Sequence, residues 1–127
     1  MTPLELPRLS HPEFSIEAAQ GDRSFSLCFR GNADMASIEP LDEYLHAVHA
    51  QAGLHQVTSV IVDFRALEFM NSSCFKCFVE WLGKVQDLDA SQRYRVVFDS
   101  NAEMHWQRRS LNALRSFAMD VVTIEAR

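Results

Sequence analysis

The sequence predicts a single α/β domain built on a mixed β-sheet, with elements in the order β-β-α-β-α-β-α-β. Two neighbouring segments near the N-terminus alternate apolar and polar residues, which is typical of a hairpin with one buried face. Further along, apolar strand-like runs alternate with segments of helical period, which indicates parallel strands joined by helices. The chain has 127 residues, 47% of them hydrophobic, and this is enough for one domain with its own core.

The first two strands are predicted over residues 14–19 and 24–30, with a turn at residues 20–23. Residues 1–12 precede them and contain three of the four prolines. We therefore expect an extended N-terminal arm or a loosely attached edge segment over residues 1–12, and a folded domain over residues 13–127. The residues predicted to face inward in the hairpin are Phe14, Ile16, Ala18, Phe25, Leu27 and Phe29.

The first helix is predicted over residues 37–52, where apolar side chains recur at helical spacing. Ser37 is a suitable N-cap. Gly53 suits the left-handed position that follows many helices. The buried stripe is expected to contain Leu41, Tyr44, Leu45, Val48 and Ala52.

A strand over residues 57–64 and a second helix over residues 72–87 follow. The run Val-Ile-Val at residues 60–62 predicts a strand buried on both faces. The inward face of the helix is expected to be centred on Phe75, and Phe69 is expected to lie in the core. The other inward residues of the helix are predicted to be Phe78, Val79, Leu82 and Val85, flanked by Cys74, Cys77 and Trp81.

The last three elements are a strand over residues 94–99, a helix over residues 107–117 and a strand over residues 121–124. Residues 100–103 (SNAE) resemble a capping box, which could start the helix earlier. The inward residues of this helix are predicted to be Leu111, Leu114 and Phe117.

Charge and composition exclude several classes of partner. The net charge is −5, with 12 Lys and Arg against 17 Asp and Glu, whereas nucleic-acid-binding domains carry a basic face. No apolar run approaches the roughly 18 residues of a membrane helix, and the first residues lack the features of a signal peptide. Three cysteines suit reduced thiols better than a disulfide scaffold. We therefore expect a cytoplasmic protein that binds neither nucleic acid nor membrane.

The motif Asn71-Ser72-Ser73-Cys74 lies between a predicted strand and a predicted helix. In parallel α/β sheets, functional loops lie at this position. The free N–H groups at a helix start favour an anion, so a serine here could carry a phosphate. Asn and Ser are also the preferred N-caps, and capping alone explains the motif too.

Two segments resemble STAS domains, the fold of the bacterial anti-sigma-factor antagonists. Residues 62–73 (VDFRALEFMNSS) are similar to the family signature, which runs from a hydrophobic strand and Asp to Asp-Ser-Ser/Thr-Gly at a helix start. Residues 31–37 (GNADMAS) are similar to the family's Gly-x-hydrophobic-Asp loop. Since the predicted element order also agrees, the resemblance implies a STAS-like mixed sheet for nearly the whole chain.

The resemblance also implies a bacterial, non-enzymatic switch that works by partner binding. Ser73 would be phosphorylated, with Ser72 as the alternative acceptor and otherwise a helix cap. The kinase would be an ATP-binding serine kinase that is itself the binding partner, and a PP2C-type phosphatase would reverse the reaction. The sequence departs from the family where Asn71 replaces Asp and Cys74 replaces Gly. The expected partner surface contains Asp34, Asn71, Ser72, Ser73, Cys74, Cys77 and Trp81. The alternative for Trp81 is a half-buried position packed against a neighbouring strand or helix, and the alternative for the two cysteines is a partly buried structural role.

Two other functions remain open from the sequence. The first is a STAS-like module that works without phosphorylation, by constitutive binding or by sensing a small ligand. The second is a thiol-redox protein, because Cys74 and Cys77 form a CxxC motif at a helix start, where thiol pKa values fall. No second cysteine pair completes a zinc site, and His46 and His49 are more simply explained as a solvated helix face than as metal ligands. No phosphate-binding glycine loop or nucleophile elbow is present, so we expect neither cofactor nor catalysis.

Overall fold

The computed structural model describes residues 9–11 and 13–126, and within them it confirms the predicted α/β class and element order. The sheet gains one additional edge strand from the predicted arm, at residues 9–11. The arm boundary itself remains a prediction, because residues 1–8 and 12 lie outside the described part of the chain. The elements are β1 (Leu9–His11), β2 (Phe14–Gly21), β3 (Ser24–Ala33), α1 (Ile38–Leu54), β4 (Ser59–Met70), α2 (Ser72–Gln86), β5 (Arg95–Ser100), α3 (His105–Phe117) and β6 (Val122–Ala126).

The six strands lie in the sheet in sequence order. The β1–β2 and β2–β3 pairs are antiparallel, and the three pairs from β3 to β6 are parallel. Because each crossover steps to the next strand in the same direction, right-handed connections place α1, α2 and α3 on one face of the sheet. We call the opposite side the open face. No helix in the described part of the chain has the length and apolarity needed to cross a membrane.

Burial along β4 follows this one-sided arrangement. Val60, Val62 and Phe64 are buried, whereas Ile61 and Asp63 between them are partly exposed. The prediction that residues 60–62 are buried on both faces is therefore wrong. A parallel strand is covered on both sides only where helices pack on both faces of the sheet.

An aromatic cluster joins α2 to the centre of the sheet. Phe78 of α2 packs among Phe29, Phe64 and Phe98, with ring centroids 5.4 to 6.2 Å from its own. Aromatic pairs at these distances add to the energy of apolar burial. The α1 face is buried as predicted, through Leu41, Tyr44, Leu45, Val48 and Ala52.

The buried face of α2 is rotated from its predicted position. Phe78 is 1% exposed and lies at the centre of the face, whereas Phe75 is only partly buried. Phe69 and Phe117, which were expected in the core, are 48% and 50% exposed. Phe69 lies in the part of β4 that extends beyond its pairing with β5. At the end of α3, Ala118 takes the buried position instead of Phe117.

Two predicted helix-end signals are not used. Gly53 lies inside α1, and Gln56 (φ 52°) takes the left-handed conformation after the helix. The capping box at residues 100–103 does not form, because α3 begins after Met104 and that N-cap has no side-chain cap bond. The Asn101 side chain instead accepts a hydrogen bond from the backbone N–H of Glu103.

Gln107 is a fully buried polar residue of α3 that the sequence analysis did not single out. Its Nε2 donates to the backbone oxygens of Phe64 (2.6 Å) and Leu67 (2.8 Å), and its Oε1 accepts from the N–H of Asn101 (2.8 Å). It therefore satisfies carbonyl groups of β4 beyond the end of the β5 ladder. The sequence does carry a signal for this burial. Gln107 lies four residues before Leu111 and seven before Leu114, and this spacing places it on the same face of the helix as those two residues.

Candidate functional site

The two motifs that carry the family resemblance meet at one edge of the sheet. Ala33 and Met70 are paired in the parallel β3–β4 ladder, so Asp34 and Asn71 leave the sheet side by side. The N–H of Asn71 donates to the carbonyl oxygen of Ala33 at 2.8 Å. The carboxyl ends of these strands thus form the floor of the candidate site.

Asn71 is the N-cap of α2. Its backbone is extended (φ −63°, ψ 147°), and its Oδ1 accepts a hydrogen bond from the N–H of Ser73 at 2.8 Å. Its carbonyl oxygen accepts from the N–H of Phe75 at 3.1 Å. The amide therefore performs the capping that an aspartate could perform there. Asn71 caps the helix, and Ser72, which was expected to help, is its exposed first residue.

Ser72 and Ser73 both lie in the first turn of α2. Ser72 is exposed, and Ser73 is partly buried. The positive end of the helix dipole lies at this turn and stabilises negative charge. Lys76, one turn further along, is exposed and adds a cation near the same end of the helix. An anion attached to either serine would lie in a favourable electrostatic position.

Cys74 does not project toward the surface. It is fully buried, and its sulfur lies 3.7 Å from the carbonyl oxygen of Ala33 and 3.5 Å from that of Asp34. The side chain that replaces the family's glycine thus packs between α2 and the segment that follows β3. It leaves the approach to the two serines open.

Burial also removes the basis of the thiol-redox hypothesis. It raises the pKa of the Cys74 thiol to about 11, with smaller contributions from Cys77 and Asp34. Burial likewise raises the pKa of Cys77, which is 7% exposed. Redox-active cysteines have lowered pKa values. Neither thiol supplies the thiolate that the hypothesis requires, and neither offers its side chain to a partner.

Asp34 is held in a fixed position beside the helix start. Its Oδ1 accepts from the N–H of Ala36 (3.0 Å) and from the hydroxyl of Ser37 (3.3 Å), which closes a short 3₁₀ turn over Met35–Ser37. Ser37 is the N-cap residue of α1, as predicted, but its side chain makes no cap hydrogen bond there. Its hydroxyl binds Asp34 instead.

Two large apolar side chains flank the site and are exposed. Met35, directly after Asp34, is 74% exposed, and Phe69, two residues before Asn71, is 48% exposed. Neither was predicted as a surface residue of the site. Apolar side chains exposed together at a functional edge are typical of protein-interaction surfaces.

Trp81 was expected to face a partner and does not. It is 2% exposed, and its Nε1 donates to the hydroxyl of Tyr94 at 2.8 Å. Its ring packs against Phe78 and Tyr94. Because α2 is rotated from the predicted phase, the flank that carries Trp81, Cys77 and Cys74 turns inward.

The two helix histidines have separate partners. His49 Nδ1 lies 2.8 Å from the Tyr94 hydroxyl, and His46 Nδ1 lies 2.7 Å from the carbonyl oxygen of Asp42. Within residues 9–11 and 13–126, no group of three or more His, Cys, Asp or Glu side chains is arranged to hold a metal.

Comparison with solved structures identifies the architecture. An anti-sigma factor antagonist from Mycobacterium paratuberculosis matches with a TM-score of 0.65 and 17% identity, over 92% of this chain and 90% of that one. The anti-sigma factor antagonist SpoIIAA in its unphosphorylated form matches with a TM-score of 0.55 and 18% identity, over 88% and 86%. The chain has a STAS-like fold.

A third match supports the STAS-like fold. The Bacillus cell fate determinant SpoIIAA in its phosphorylated form gives a TM-score of 0.59 at 16% identity, over 86% of this chain and 89% of that one. No protein-family model matches the sequence, and neither does a curated protein. The similarity to known proteins is therefore one of three-dimensional structure. The fold that it shows is the one that the resemblance of the two motifs predicts.

Proposed function

We propose that this STAS-like domain is a non-enzymatic regulator that binds another protein and is switched by reversible phosphorylation of Ser73. One observation carries the proposal: two serines open α2 beside Asp34, in a fold shared with SpoIIAA. That protein has been solved in unphosphorylated and phosphorylated forms. Ser72, the more exposed of the pair, is the alternative acceptor.

The binding surface is proposed to contain the segment around Asp34, the residues 71–73 and the first turn of α2. The exposed side chains of Met35 and Phe69 supply its apolar contacts. Exposed apolar groups at the centre of an interface contribute much of its binding energy. Cys74, Cys77 and Trp81 support this surface from beneath, because their side chains are buried.

The switch is electrostatic. Phosphorylation adds about −1.5 to −2 charges and three acceptor oxygens. In the free domain the helix dipole stabilises that charge. In the complex the same charge would be removed from water and would lie against apolar contacts, where its desolvation costs several kcal/mol. A partner of micromolar affinity is bound by only about 8 kcal/mol, so it would be released.

The proposed partner is an ATP-binding serine kinase of a bacterial cytoplasm, which both binds the domain and modifies it. A PP2C-type phosphatase restores the binding form. No nucleic acid, membrane, metal or cofactor takes part in this scheme. The domain contributes a surface and an acceptor hydroxyl, and all the catalysis belongs to its partners.

The test uses three forms of the full chain: unmodified, with phosphoserine at position 73, and with phosphoserine at position 72. Each is immobilised and exposed to host lysate, and captured proteins are identified by mass spectrometry and titrated. We expect the unmodified form to retain an ATP-binding kinase that the 73-modified form releases. Equal affinity for all three forms would contradict the switch.

Site-localised mass spectrometry after reaction with the captured kinase identifies the acceptor. Ser73→Ala is expected to prevent modification and to keep partner binding, while Ser72→Ala leaves both intact. Phosphate found on Ser72 would transfer the role to that residue. Partner binding without any modification would favour the phosphorylation-independent module.

A further inference from the structure

A cavity of about 820 Å³ lies at the opposite end of the domain from Ser73. It is an open cavity lined by the last turns of α1, the residues that lead into β4 and the segment between α2 and β5. Since α2 has 15 residues, its length places this cavity roughly 20 Å from the serines. The volume falls within the range of about 300–1,000 Å³ typical of small-molecule sites.

The lining of the cavity combines apolar and cationic residues. Gly53, Leu54, Val57 and Leu88 form apolar parts of the wall, and no Asp or Glu is among the described residues that line it. This is unusual in a chain with a net charge of −5. The lining thus has a charge opposite to that of the molecule as a whole.

Two arginines account for the positive charge. The Arg23 side chain lines the cavity from the hairpin turn and has no hydrogen-bond or ion-pair partner within the described part of the chain. Arg93 is fixed by Asp120 and by the carbonyl oxygen of Gln86. Its buried Nε–H, however, has no partner among the described residues. That N–H is inaccessible, and the Arg93 charge is paired with Asp120, so Arg23 supplies the unpaired positive charge of the lining.

A buried hydrogen-bonded chain adds fixed polarity to the same wall. Tyr94 and His49 both line the cavity, and the Tyr94 hydroxyl accepts from Trp81 Nε1. The same hydroxyl lies 2.8 Å from His49 Nδ1, which completes a buried chain of three polar groups. The chain gives the lining a fixed polar component beside its apolar residues.

We infer that this cavity is a binding site for a small organic anion with an apolar body. The apolar residues of the lining cover the body of the ligand, and the unpaired guanidinium of Arg23 receives its acidic group. The inference is independent of the serine switch, since none of these residues belongs to the surface proposed for the protein partner.

The test uses anilinonaphthalene sulfonate as the anionic probe and phenylnaphthylamine, the same ring system without the sulfonate, as its neutral counterpart. Both are titrated by fluorescence against the intact chain. We expect saturable binding of the sulfonate and weaker binding of the neutral probe. Arg23→Gln should weaken sulfonate binding about fivefold and leave the neutral probe unchanged. Equal affinity of the two probes, or no saturable binding, overturns the inference.

A filling substitution locates the probe without disturbing the fold. A Cβ at Gly53 meets no atom within 4 Å, and the same holds for Gly83 of α2, which does not line the cavity. Gly53→Leu should therefore fill the cavity and weaken sulfonate binding by tenfold or more, while Gly83→Leu binds like the wild type. Both changes replace a helical glycine, so urea melts should show neither variant destabilised. Unchanged binding by Gly53→Leu overturns the inference.

Discussion

Asn71 and Cys74 replace the aspartate and glycine of the family pattern, and each is accommodated by its own side chain. The Asn71 oxygen caps Ser73, as a carboxylate oxygen would. The Cys74 sulfur is directed between α2 and the segment after β3, where it meets two carbonyl oxygens. The departures thus leave the helix start and its two hydroxyls intact.

At the residue scale, Gln107 is predicted to be essential for stability. Gln107→Leu removes two hydrogen bonds to the carbonyl oxygens of Phe64 and Leu67 and leaves those groups buried. Buried acceptors without a partner cost roughly 1–3 kcal/mol each, so for two acceptors we expect a loss of about 2–6 kcal/mol in the free energy of unfolding. Urea denaturation measures it. The control is Asn112→Leu, at an exposed position of the same helix, which should change the free energy of unfolding only slightly. If Gln107→Leu changes it no more than this control does, the role of Gln107 is contradicted.

The second residue-scale prediction concerns acid stability. Hydrogen bonds from Arg65 hold the pKa of the Asp63 carboxyl below its usual range. The unfolded chain therefore takes up this proton first as the pH falls, and stability is lost as the pH drops below about 4. In urea melts across this range, Asp63→Asn should show a shallower fall in stability than the wild type. Asp22→Asn, in the exposed hairpin turn, is the control; an unchanged slope for Asp63→Asn would disprove the linkage.

At the element scale, α2 shows why helical periodicity fixes a face only approximately. Its apolar residues span half of the helix circumference. A buried face that has Phe75 at its centre therefore fits the sequence as well as a face that has Phe78 at its centre. Packing against the neighbouring elements determines which face is buried. Cys77 lies against the carbonyl oxygen of Ile38 in α1, and Phe78 packs against aromatic residues of the sheet. The flank with Trp81 is buried as a consequence.

Two phenylalanine substitutions test this phase. Phe78→Ala removes a ring packed among four aromatic residues and should cost about 3–5 kcal/mol. Phe69→Ala, at a position 48% exposed, should cost less than about 1 kcal/mol. Urea denaturation of both variants gives the comparison. Similar losses for the two would mean that α2 or the end of β4 packs differently.

At the scale of the whole molecule, the domain presents two separate ends on one continuous core. The serines lie where β3 and β4 end, and the cationic cavity lies where β4 and β5 begin. Helices on one face and a single close-packed core resist small local changes. The charge added at Ser73 is therefore expected to act on the partner rather than on the shape of the domain.

Ser73→Asp tests this rigidity, since it introduces a charge at the acceptor position. Amide chemical shifts measured by NMR should change at the ends of β3 and β4 and in the first turns of α2. They should stay constant at His49 and Tyr94, in the cavity wall. Ser73→Asn is the uncharged control of similar size. Shifts at Tyr94 that appear with Asp and not with Asn would show a conformational coupling between the two ends.

The sequence by itself determined the order of elements, the hairpin and the buried stripe of α1, because these follow from periodicity and local turn chemistry. These features depend on residues close together in the chain, and neighbouring residues constrain one another strongly. The resemblance of two motifs to one family additionally predicted that Asp34 and Ser73 belong to the same surface.

Only the tertiary structure decided which surfaces are covered. The crossovers place every described helix on one face of the sheet, so residues 60–62 are covered on that face only. The packing of α2 against α1 and the sheet buries Cys74, Cys77 and Trp81. The bond between Gln107 and β4, and the cavity lined by Arg23 and Arg93, join segments far apart in the chain. Periodicity along one segment carries no information about such pairings, because they depend on where the neighbouring elements pack.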